Sequence, residues 1–450
     1  MQVMNLTKDP IPKLIRALAI PASIGFFFNT MYNVVDTYFA GLVSTVAQSA
    51  LSLSFPVFFI IIAIGSGVGS GVTALIGTSL GKGDKKEARI YATQALSFSL
   101  ALGIILTIVG YLVSPSLFQF LGASDDYLNM SVQYMNMLFI VATFFVLGFV
   151  INGILNALGD TKSYRNVLIL GFFINILLSP ALMFGWWILP ELGFTGIAGS
   201  TAIIQIISFV YMFYKLIKTD LFEYNGLSEY KPIGKYFKEI SYQGFPAGLS
   251  MMTVAIGVFV ITFYISKFGP GAVAAYGIAT RIEQIALLPV IGINIAALTL
   301  ISQNLGANKY KRVKETVKKC YQYGLSIMVI GFVAVFFFTE WWMRLFTKDD
   351  LVVEIGSSYL KISSWIFFAY IALFMSDAIF RGFKKPIPPL VVGLVRQIVA
   401  PLALFYLAVF VFDLSIMWLW WSIFTIVWVS AIVYVLMVWR MLKRDGSQKF

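Results

Sequence analysis

Long apolar segments recur along the whole chain, and this repetition limits the fold more than any other feature of the sequence. A helix rises about 1.5 Å per residue, so about 20 apolar residues cross the ~30 Å hydrocarbon core of a bilayer. The 450 residues are 59% hydrophobic and only 12% charged, a balance that soluble domains of this length do not show. We therefore predict an all-α integral membrane protein with twelve transmembrane helices.

The spans can be placed on the sequence from the apolar runs and the polar connections between them. The predicted spans cover residues 13–40, 52–77, 91–113, 130–154, 164–187, 194–217, 240–266, 276–302, 318–339, 354–379, 388–411 and 414–440. The longest connection, about residues 218–239, is polar and leaves no room for a soluble domain.

Basic residues mark every second connection between these spans. Most of the 33 Lys and Arg residues lie in both termini and in alternate connections, whereas the other connections carry only Lys267, Arg344 and Lys348. Because cytoplasmic loops carry the excess of Lys and Arg, the alternation predicts a multi-pass protein of the cytoplasmic (inner) membrane with both termini in the cytoplasm. It also accounts for the net charge of +12, so we do not expect nucleic acid as a partner.

The composition restricts the chemistry. There is no histidine, and Cys320 is the single cysteine, which leaves carboxylates and tyrosines to handle protons. The sequence has no nucleophile–base constellation, metal-ligand spacing or nucleotide motif, so we expect neither an enzyme nor a resident cofactor. Any energy source must then be an ion gradient.

The second half of the chain repeats the first in a single register without gaps. Pro21 meets Pro246, Leu80 meets Leu305, and Tyr134 meets Tyr359 in this register. We therefore predict two six-helix repeats, an N-lobe of residues 1–225 and a C-lobe of residues 226–450. Six is an even number, so both halves enter the membrane from the same side, and such parallel repeats place the substrate in a central cleft between them.

Asp36 is the acid that most needs an explanation, since it lies in the first apolar span. A carboxylate in the hydrocarbon region is costly and is by default a functional-site hypothesis. Tyr32 and Asn33 precede it by four and three residues and share its helix face, which could border a substrate cavity. Pro21 lacks a backbone donor and offers either a bend or a static kink in the same helix.

Other polar residues within spans admit two readings each. Tyr134, Asn175 and Ser179 are candidate partners of Asp36, or ordinary helix-to-helix hydrogen bonds. Glu283 is a candidate second cation site or a residue at the rim of the cleft. Asp377 and Arg381 are four residues apart and are predicted to form a structural ion pair.

The glycine-rich run from Gly65 to Gly71 resembles a phosphate-binding loop in its composition. It lies within an apolar span and lacks the Gly-Lys-Ser/Thr that completes such a loop, so we predict close helix packing through small residues instead.

Four segments resemble one transporter family. The segments are Val35-Asp36-Thr37-Tyr38-Phe39-Ala40-Gly41, Gly77-Thr78-Ser79-Leu80-Gly81-Lys82-Gly83-Asp84, Leu158-Gly159-Asp160-Thr161-Lys162 and Gln303-Asn304-Leu305-Gly306-Ala307-Asn308. They are similar to the multidrug and toxic compound extrusion (MATE) family, most of all to its DinF-type prokaryotic branch. The resemblance implies two six-helix lobes forming a V-shaped cleft, and efflux of bulky, often cationic compounds in exchange for H⁺ or Na⁺.

The resemblance also implies roles for individual residues. Asp36 matches the coupling acid of the first helix, and Pro21 matches the proline about which that helix bends. Tyr134 and Asn175 match the tyrosine of helix four and the asparagine of helix five, and Thr201 is the nearest match to the threonine of helix six.

One departure bears on the coupling ion. The family pattern Asn-x-x-x-Asp-Pro reads here Asn175-Ile176-Leu177-Leu178-Ser179-Pro180, with a serine in place of the second acid. Sodium held by oxygens prefers anionic ligands, whereas Asp36 alone can carry a proton. We therefore expect H⁺ rather than Na⁺ coupling, with Asp36 and Asn175 as the sodium ligands in the less favoured case.

The sequence thus predicts an antiporter that exports small amphipathic or cationic drugs and works as a monomer surrounded by membrane lipid. One alternative is a flippase for lipid-linked saccharide precursors, whose pyrophosphate would need cationic residues such as Arg281, Lys361 and Arg396 in the cleft. An intramembrane enzyme is the third reading, which the absence of clustered catalytic residues disfavours.

Overall fold

The structure, a computed structural model, describes residues 4–186, 189–222 and 226–447. It is built from helices, and no strand is present in these ranges. The α-helices are α1 Ile11–Val43, α2 Thr45–Gly81, α3 Lys85–Phe120, α4 Asp125–Ile140, α5 Ala142–Ala157, α6 Lys162–Phe184, α7 Thr195–Ile217, α8 Gly234–Ile265, α9 Pro270–Gly306, α10 Tyr310–Phe336, α11 Thr339–Arg344, α12 Asp350–Ser363, α13 Ile366–Gly382, α14 Ile387–Leu394, α15 Ala400–Tyr406 and α16 Ile416–Ser447. Two short π-helical segments, Val395–Val399 and Leu407–Val411, continue α14 and α15 into one span.

Within the described ranges, ten helices are long and apolar enough to cross a membrane, and two bent helix pairs raise the number to twelve. This agrees with the twelve predicted spans, whose ends differ from the helix ends by up to eight residues. Residue 187, the predicted end of the fifth span, lies outside the described residues, as does Lys449 in the C-terminal tail.

The fourth and tenth predicted spans are each made of two helices that meet at a bend. The chain bends by 49° between α4 and α5 and by 54° between α12 and α13. At each break the backbone makes a tighter turn, because Val141 N–H bonds to Leu138 O and Trp365 N–H bonds to Ile362 O, three residues back. Neither break contains proline or glycine, so the sequence carried no breaker signal there.

Helix bounds and backbone conformations follow the predicted register of the repeat. Helices α2 and α9 begin at positions 45 and 270 and end at positions 81 and 306, so the same offset holds at both ends. The left-handed turn at Gly83 (φ 81°) recurs at Asn308 (φ 56°), and the one at Gly159 (φ 87°) recurs at Lys384 (φ 57°). Left-handed backbone favours glycine, so its retention at Asn and Lys shows that the turn geometry was preserved while the residue changed.

The glycine-rich run lies inside α2 and packs against neighbouring helices, as predicted. A Cβ on Gly67 would come within 2.3 Å of Gly248 N, and one on Gly69 within 2.5 Å of Phe149 O. A Cβ on Gly153 of α5 would approach Gly69 O to 2.2 Å. Small residues therefore allow backbones to touch here, which is how helices associate in lipid.

The contacts divide the chain into two compact units. The N-unit is Ile24–Leu249, and the C-unit combines Met1–Ser23 with Ser250–Phe450. Both divisions fall inside long helices, α1 and α8, at positions nearly equivalent in the repeat. The predicted boundary between the lobes, after residue 225, was placed from the sequence repeat and not from contacts. Residue 225 lies outside the described residues, so that boundary stays a prediction.

Inside the N-unit, the polar connection between α7 and α8 is anchored to α3. The fully buried Gln94 donates to Glu229 O (3.0 Å) and Lys231 O (2.9 Å) and accepts from Ile233 N–H (2.8 Å). Arg89 forms an ion pair with Glu229 at 2.9 Å. Residues 229–233 of the connection are thus held against α3 by hydrogen bonds and an ion pair.

Candidate functional site: a buried carboxylate network

Asp36 lies on α1 and is 7% exposed, so its carboxylate is removed from water. Asn175 of α6 is fully buried and donates from Nδ2 to Asp36 Oδ1 at 2.8 Å. The sequence predicted these two residues as partners, and the structure brings them together within the N-unit. A hydrogen bond to a carboxylate is stronger than a neutral one, and it is stronger still away from water.

Two hydroxyls fix the orientation of the Asn175 amide. Ser179 Oγ donates to Asn175 Oδ1 at 2.5 Å, and Ser200 Oγ of α7 approaches the same oxygen at 3.2 Å. The two serine oxygens are 2.6 Å apart. Because Oδ1 already accepts from serine, the amide turns its N–H, and not its oxygen, toward Asp36.

Sequence reasoning included Ser179 and Thr201 but missed Ser200. Ser200 reaches the network because α6 and α7 pack closely at Gly196, where a Cβ would lie 2.7 Å from the backbone of Leu182. The signal available in the sequence was the spacing Gly196-x-x-x-Ser200, which is typical of close helix contacts in membranes.

Thr201 and Tyr32 form the second polar contact of the site. Their side-chain oxygens are 2.8 Å apart, which links α1 to α7 beside Asp36. Tyr134 of α4 is buried, stacks on Phe194 with ring centroids 5.2 Å apart, and lies near Asp36. Both tyrosines therefore belong to the surroundings of the acid.

Asn33 and Pro21, two predicted residues of α1, take no direct part in this network. Asn33 is exposed and donates to Asn29 O in its own helix at 2.9 Å. Pro21 is buried, and α1 continues through it as one helix. Its role as a bending point stays a prediction, as does the cleft-lining role of Asn33.

Glu283, the other candidate acid, belongs to the C-unit and has its own partners. It is 6% exposed, which excludes the predicted alternative of a residue at a solvated rim. Tyr359 OH donates to Glu283 Oε2 at 3.2 Å, while Oε1 has no hydrogen-bond partner among the described residues. The rings of Tyr276 and Trp420 pack around Tyr359.

The basic residues within the C-unit spans differ in environment. Arg381 pairs with Asp377 at 3.0 Å, which confirms the predicted ion pair. Arg281 and Lys361 are exposed, and Arg396 is partly buried.

The residues around Asp36 suit a proton better than a metal ion. In the described part of the chain no group of three or more His, Cys, Asp or Glu side chains could hold a metal. Around Asp36 the one carboxylate faces an N–H donor, and Asn175 Oδ1 is occupied by serine hydroxyls. A sodium ion between Asp36 and Asn175 would require the amide to turn over and give up these hydrogen bonds. The described contacts of Asp36 are therefore those of a carboxylate that accepts a hydrogen bond from an amide.

A model of a known protein family matches the chain twice, once in each half of the repeat. The MatE family model matches residues 21–181 and again residues 246–407, more than half of the chain. The two matches begin at Pro21 and Pro246, which are aligned in the register of the repeat.

Curated relatives and solved structures extend the likeness to nearly the whole chain. An FAD transporter of Shewanella oneidensis is 27% identical over 89% of this chain and 88% of its own length. The multidrug export protein MepA of Staphylococcus aureus is 28% identical over 80% of this chain and 79% of its own. A MOP superfamily transporter from Pyrococcus furiosus, whose binding pocket is described as having reverse polarity, aligns with a TM-score of 0.92 at 25% identity over 98% of both chains. The chain belongs to the MatE family, the multidrug and toxic compound extrusion transporters.

Proposed function

We propose that the protein exports amphipathic compounds, cations among them, in exchange for protons that bind to Asp36. The buried contact between Asp36 and Asn175 carries this proposal, because it places a carboxylate beside a hydrogen-bond donor inside the apolar part of the N-unit. MepA, a relative at 28% identity, is a multidrug export protein, which supports drugs as the substrate class.

Protonation would change what Asp36 offers its neighbours. The ionised carboxylate accepts from Asn175, whereas the neutral acid can also donate, so proton binding adds a donor beside Tyr32, Asn175 and Thr201 and allows their hydrogen bonds to be exchanged. If that rearrangement weakens substrate binding, linkage requires that substrate weakens proton binding by the same factor. This reciprocity is what an antiporter needs.

The other details of function stay proposals. They are Pro21 as a bending point, cytoplasmic termini, an inner-membrane location, a monomeric state and the DinF-type branch. The flippase alternative also stays a prediction; Arg281 and Lys361 are exposed while Arg396 is partly buried, so the three cations do not share one environment.

The decisive experiment measures ethidium efflux from proteoliposomes under separately imposed H⁺ and Na⁺ gradients. We expect the wild type to respond to the proton gradient, and the Asp36→Asn variant to fall to the level of empty liposomes. Glu283→Gln is the comparison variant, since it neutralises the buried acid of the other unit and should keep a measurable part of the proton-driven efflux.

Three outcomes would contradict parts of the proposal. Sodium-driven efflux would overturn the choice of ion, and proton-driven efflux that survives in Asp36→Asn but not in Glu283→Gln would move the coupling site to the C-unit. No efflux of ethidium by a folded wild type would favour the flippase.

A further inference from the structure

A groove lies between α6 and α7 of the N-unit. Its apolar lining comes from Leu170, Gly171 and Ile174 of α6 and from Ile204 and Ile207 of α7. Gly171 leaves the groove its depth, because a Cβ there would lie 3.1 Å from Ile204 Cγ2. Leu170 and Ile207 are 49% and 40% exposed, so the groove is open to the surroundings of these two apolar spans. Hydrocarbon is the ligand that such walls suit.

One end of the groove is polar and basic. Tyr211 belongs to the lining, and its hydroxyl accepts from Asn166 Nδ2 at 3.4 Å, which joins the start of α6 to the end of α7. Arg165 donates to Asn166 Oδ1 from Nε at 3.1 Å and from Nη2 at 2.7 Å. Lys215 Nζ lies 5.4 Å from the centroid of the Tyr211 ring. Both cations therefore contact the Asn166–Tyr211 pair at the mouth of an apolar groove.

The charge of these two cations is not balanced by an acid. Within residues 4–186, 189–222 and 226–447, no ion pair includes Arg165 or Lys215. Asp160, which precedes α6, accepts from two backbone N–H groups of that helix at 3.0 Å and so caps it instead. A guanidinium has five donors, of which Arg165 uses two on Asn166, and the remaining donors suit a phosphate.

Pairs of lysine and an aromatic ring recur near the ends of α7 and α16. Lys218 Nζ lies 4.2 Å from the centroid of the Tyr214 ring, and Lys443 Nζ lies 5.3 Å from that of Trp439. The two pairs occupy corresponding positions of the repeat. Aromatic rings and lysines that extend along them are typical of helix ends at the membrane–water interface. The basic end of the groove is therefore expected at the level of the lipid phosphates.

The corresponding positions of the C-unit lack part of this arrangement. Arg165 corresponds to Leu390, and Tyr211 corresponds to Leu436. A general attraction of anionic lipid to basic helix ends would act on both units. A site built from the groove and its two cations would act on the N-unit alone.

We propose that the groove between α6 and α7 binds an anionic phospholipid, with its phosphate on Arg165 and Lys215 and one acyl chain along the apolar lining. Basic pockets between transmembrane helices bind phospholipid head groups in other membrane proteins. From Asn166 to Ile174 the groove follows α6 for about 12 Å, at 1.5 Å per residue, which provides contact for a chain and not only for an ion. The site does not depend on the proposed antiport.

The test uses the full-length protein in phosphatidylcholine nanodiscs that contain a trace of phosphatidylglycerol with a photoreactive group in its acyl chain. After illumination, the labelled residues are mapped by mass spectrometry. We expect label on α6 and α7 at the apolar residues of the groove. Photoreactive phosphatidylcholine with the same chain should label them at least about tenfold less, because it carries no net charge for the two cations.

The double variant Arg165→Gln/Lys215→Gln should lose this preference, a fall of about tenfold or more, since each cation near the membrane surface contributes about fivefold. Lys82→Gln is the matched control. It removes an exposed lysine of the same unit, in the connection between α2 and α3, and should leave the labelling of α6 and α7 unchanged.

Three outcomes would overturn the proposal. They are equal labelling by the two lipids in the wild type, a preference that survives in the double variant, and an equal preference beside Lys443 in the C-unit. If the double variant fails to fold, Lys215→Gln alone must lower the labelling by phosphatidylglycerol about fivefold, and an unchanged value contradicts the site.

Two further measurements separate a lipid from a free ion. Inorganic phosphate should reduce the labelling no more than chloride does at the same ionic strength; if phosphate alone displaces the label, the site holds a phosphate ion and the lipid assignment is wrong. Gly171→Ala narrows the groove and should lower the labelling about fourfold, the effect of one methylene of hydrocarbon contact. Undiminished labelling in this variant would show that the chain does not lie in the groove.

Discussion

Among the described residues, each compact unit buries one carboxylate, and the partners of the two acids differ. In the N-unit, Asp36 accepts from Asn175, whose amide is in turn held by Ser179 and Ser200. In the C-unit, Glu283 accepts from Tyr359, and its second oxygen has no hydrogen-bond partner among the described residues. The first acid is held by a network of several polar side chains, whereas the second has one described hydrogen bond, from Tyr359.

The repeat shows that these acids arose at unrelated positions. In its register, Asp36 corresponds to Ile261 and Glu283 corresponds to Phe58. Tyr134 and Tyr359 do correspond, and each lies beside the acid of its own unit. The duplication therefore kept the scaffold and one aromatic position, while the ionisable groups were placed independently in each half.

The largest effect that would sharpen this comparison is expected from Asn175→Ala. The variant leaves a buried carboxylate without its donor, and a hydrogen bond to a charged group contributes about 1.5–3 kcal/mol. We expect proton-driven ethidium efflux to fall about tenfold or more. Initial efflux rates from proteoliposomes measure it.

Asn136→Ala is the matched control for that variant. Asn136 lies in the same unit, but its amide oxygen accepts from Ser114 outside the Asp36 network. Efflux by this control should stay near the wild-type rate. If both asparagine variants lose efflux equally, the ordered network around Asp36 is not what distinguishes the N-unit.

Gly67→Ala and Gly292→Ala occupy corresponding positions of the repeat and are expected to lower the stability of the protein by similar amounts. This effect is smaller than the loss of efflux expected from Asn175→Ala. A Cβ would come within 2.3 Å of Gly248 N at the first position and 2.2 Å of Ser23 Oγ at the second. Overpacking of this kind costs about 1–3 kcal/mol, so both variants should lower the melting temperature of the purified protein.

Gly277→Ala provides the control for the glycine pair. It is an exposed glycine of α9 with open space around its Cβ position, and alanine there should leave the melting temperature unchanged or raise it slightly. A large loss at Gly67 with none at Gly292 would mean that the two units do not share the same packing.

The smallest effects are expected when the corresponding tyrosines lose their hydroxyl groups. Tyr359→Phe removes the donor of Glu283 and should lower efflux by about two- to fivefold, the range of a modest hydrogen bond. Tyr134→Phe keeps the ring that stacks on Phe194 and should change efflux less than about twofold. The same efflux assay measures both, and a reversed order would show that the hydroxyl matters more in the N-unit.

Much of the fold could be predicted because membrane insertion is governed by local composition. The twelve spans followed from apolar length, and the duplication followed from a single register that links Pro21 with Pro246 and Gly67 with Gly292. Asn175 and Ser179 were predicted as candidate partners of Asp36, since an acid and an amide in apolar helices need partners. The resemblance to the family separately matched Asp36 and Asn175. The Asp377–Arg381 pair followed from helix geometry alone.

What the sequence by itself determined, then, is the number, order and repetition of the helices and the presence of costly polar groups within them. The tertiary structure decided which of these groups meet. The bends near Val141 and Trp365 have no local breaker, and Ser200 joins the network only because Gly196 lets α7 approach α6. The burial of Glu283 beside Tyr359 depends on residues 76 positions apart. Hydropathy and helix periodicity act within about 20 residues, whereas hydrogen-bond partners in an apolar interior are selected by how whole helices pack.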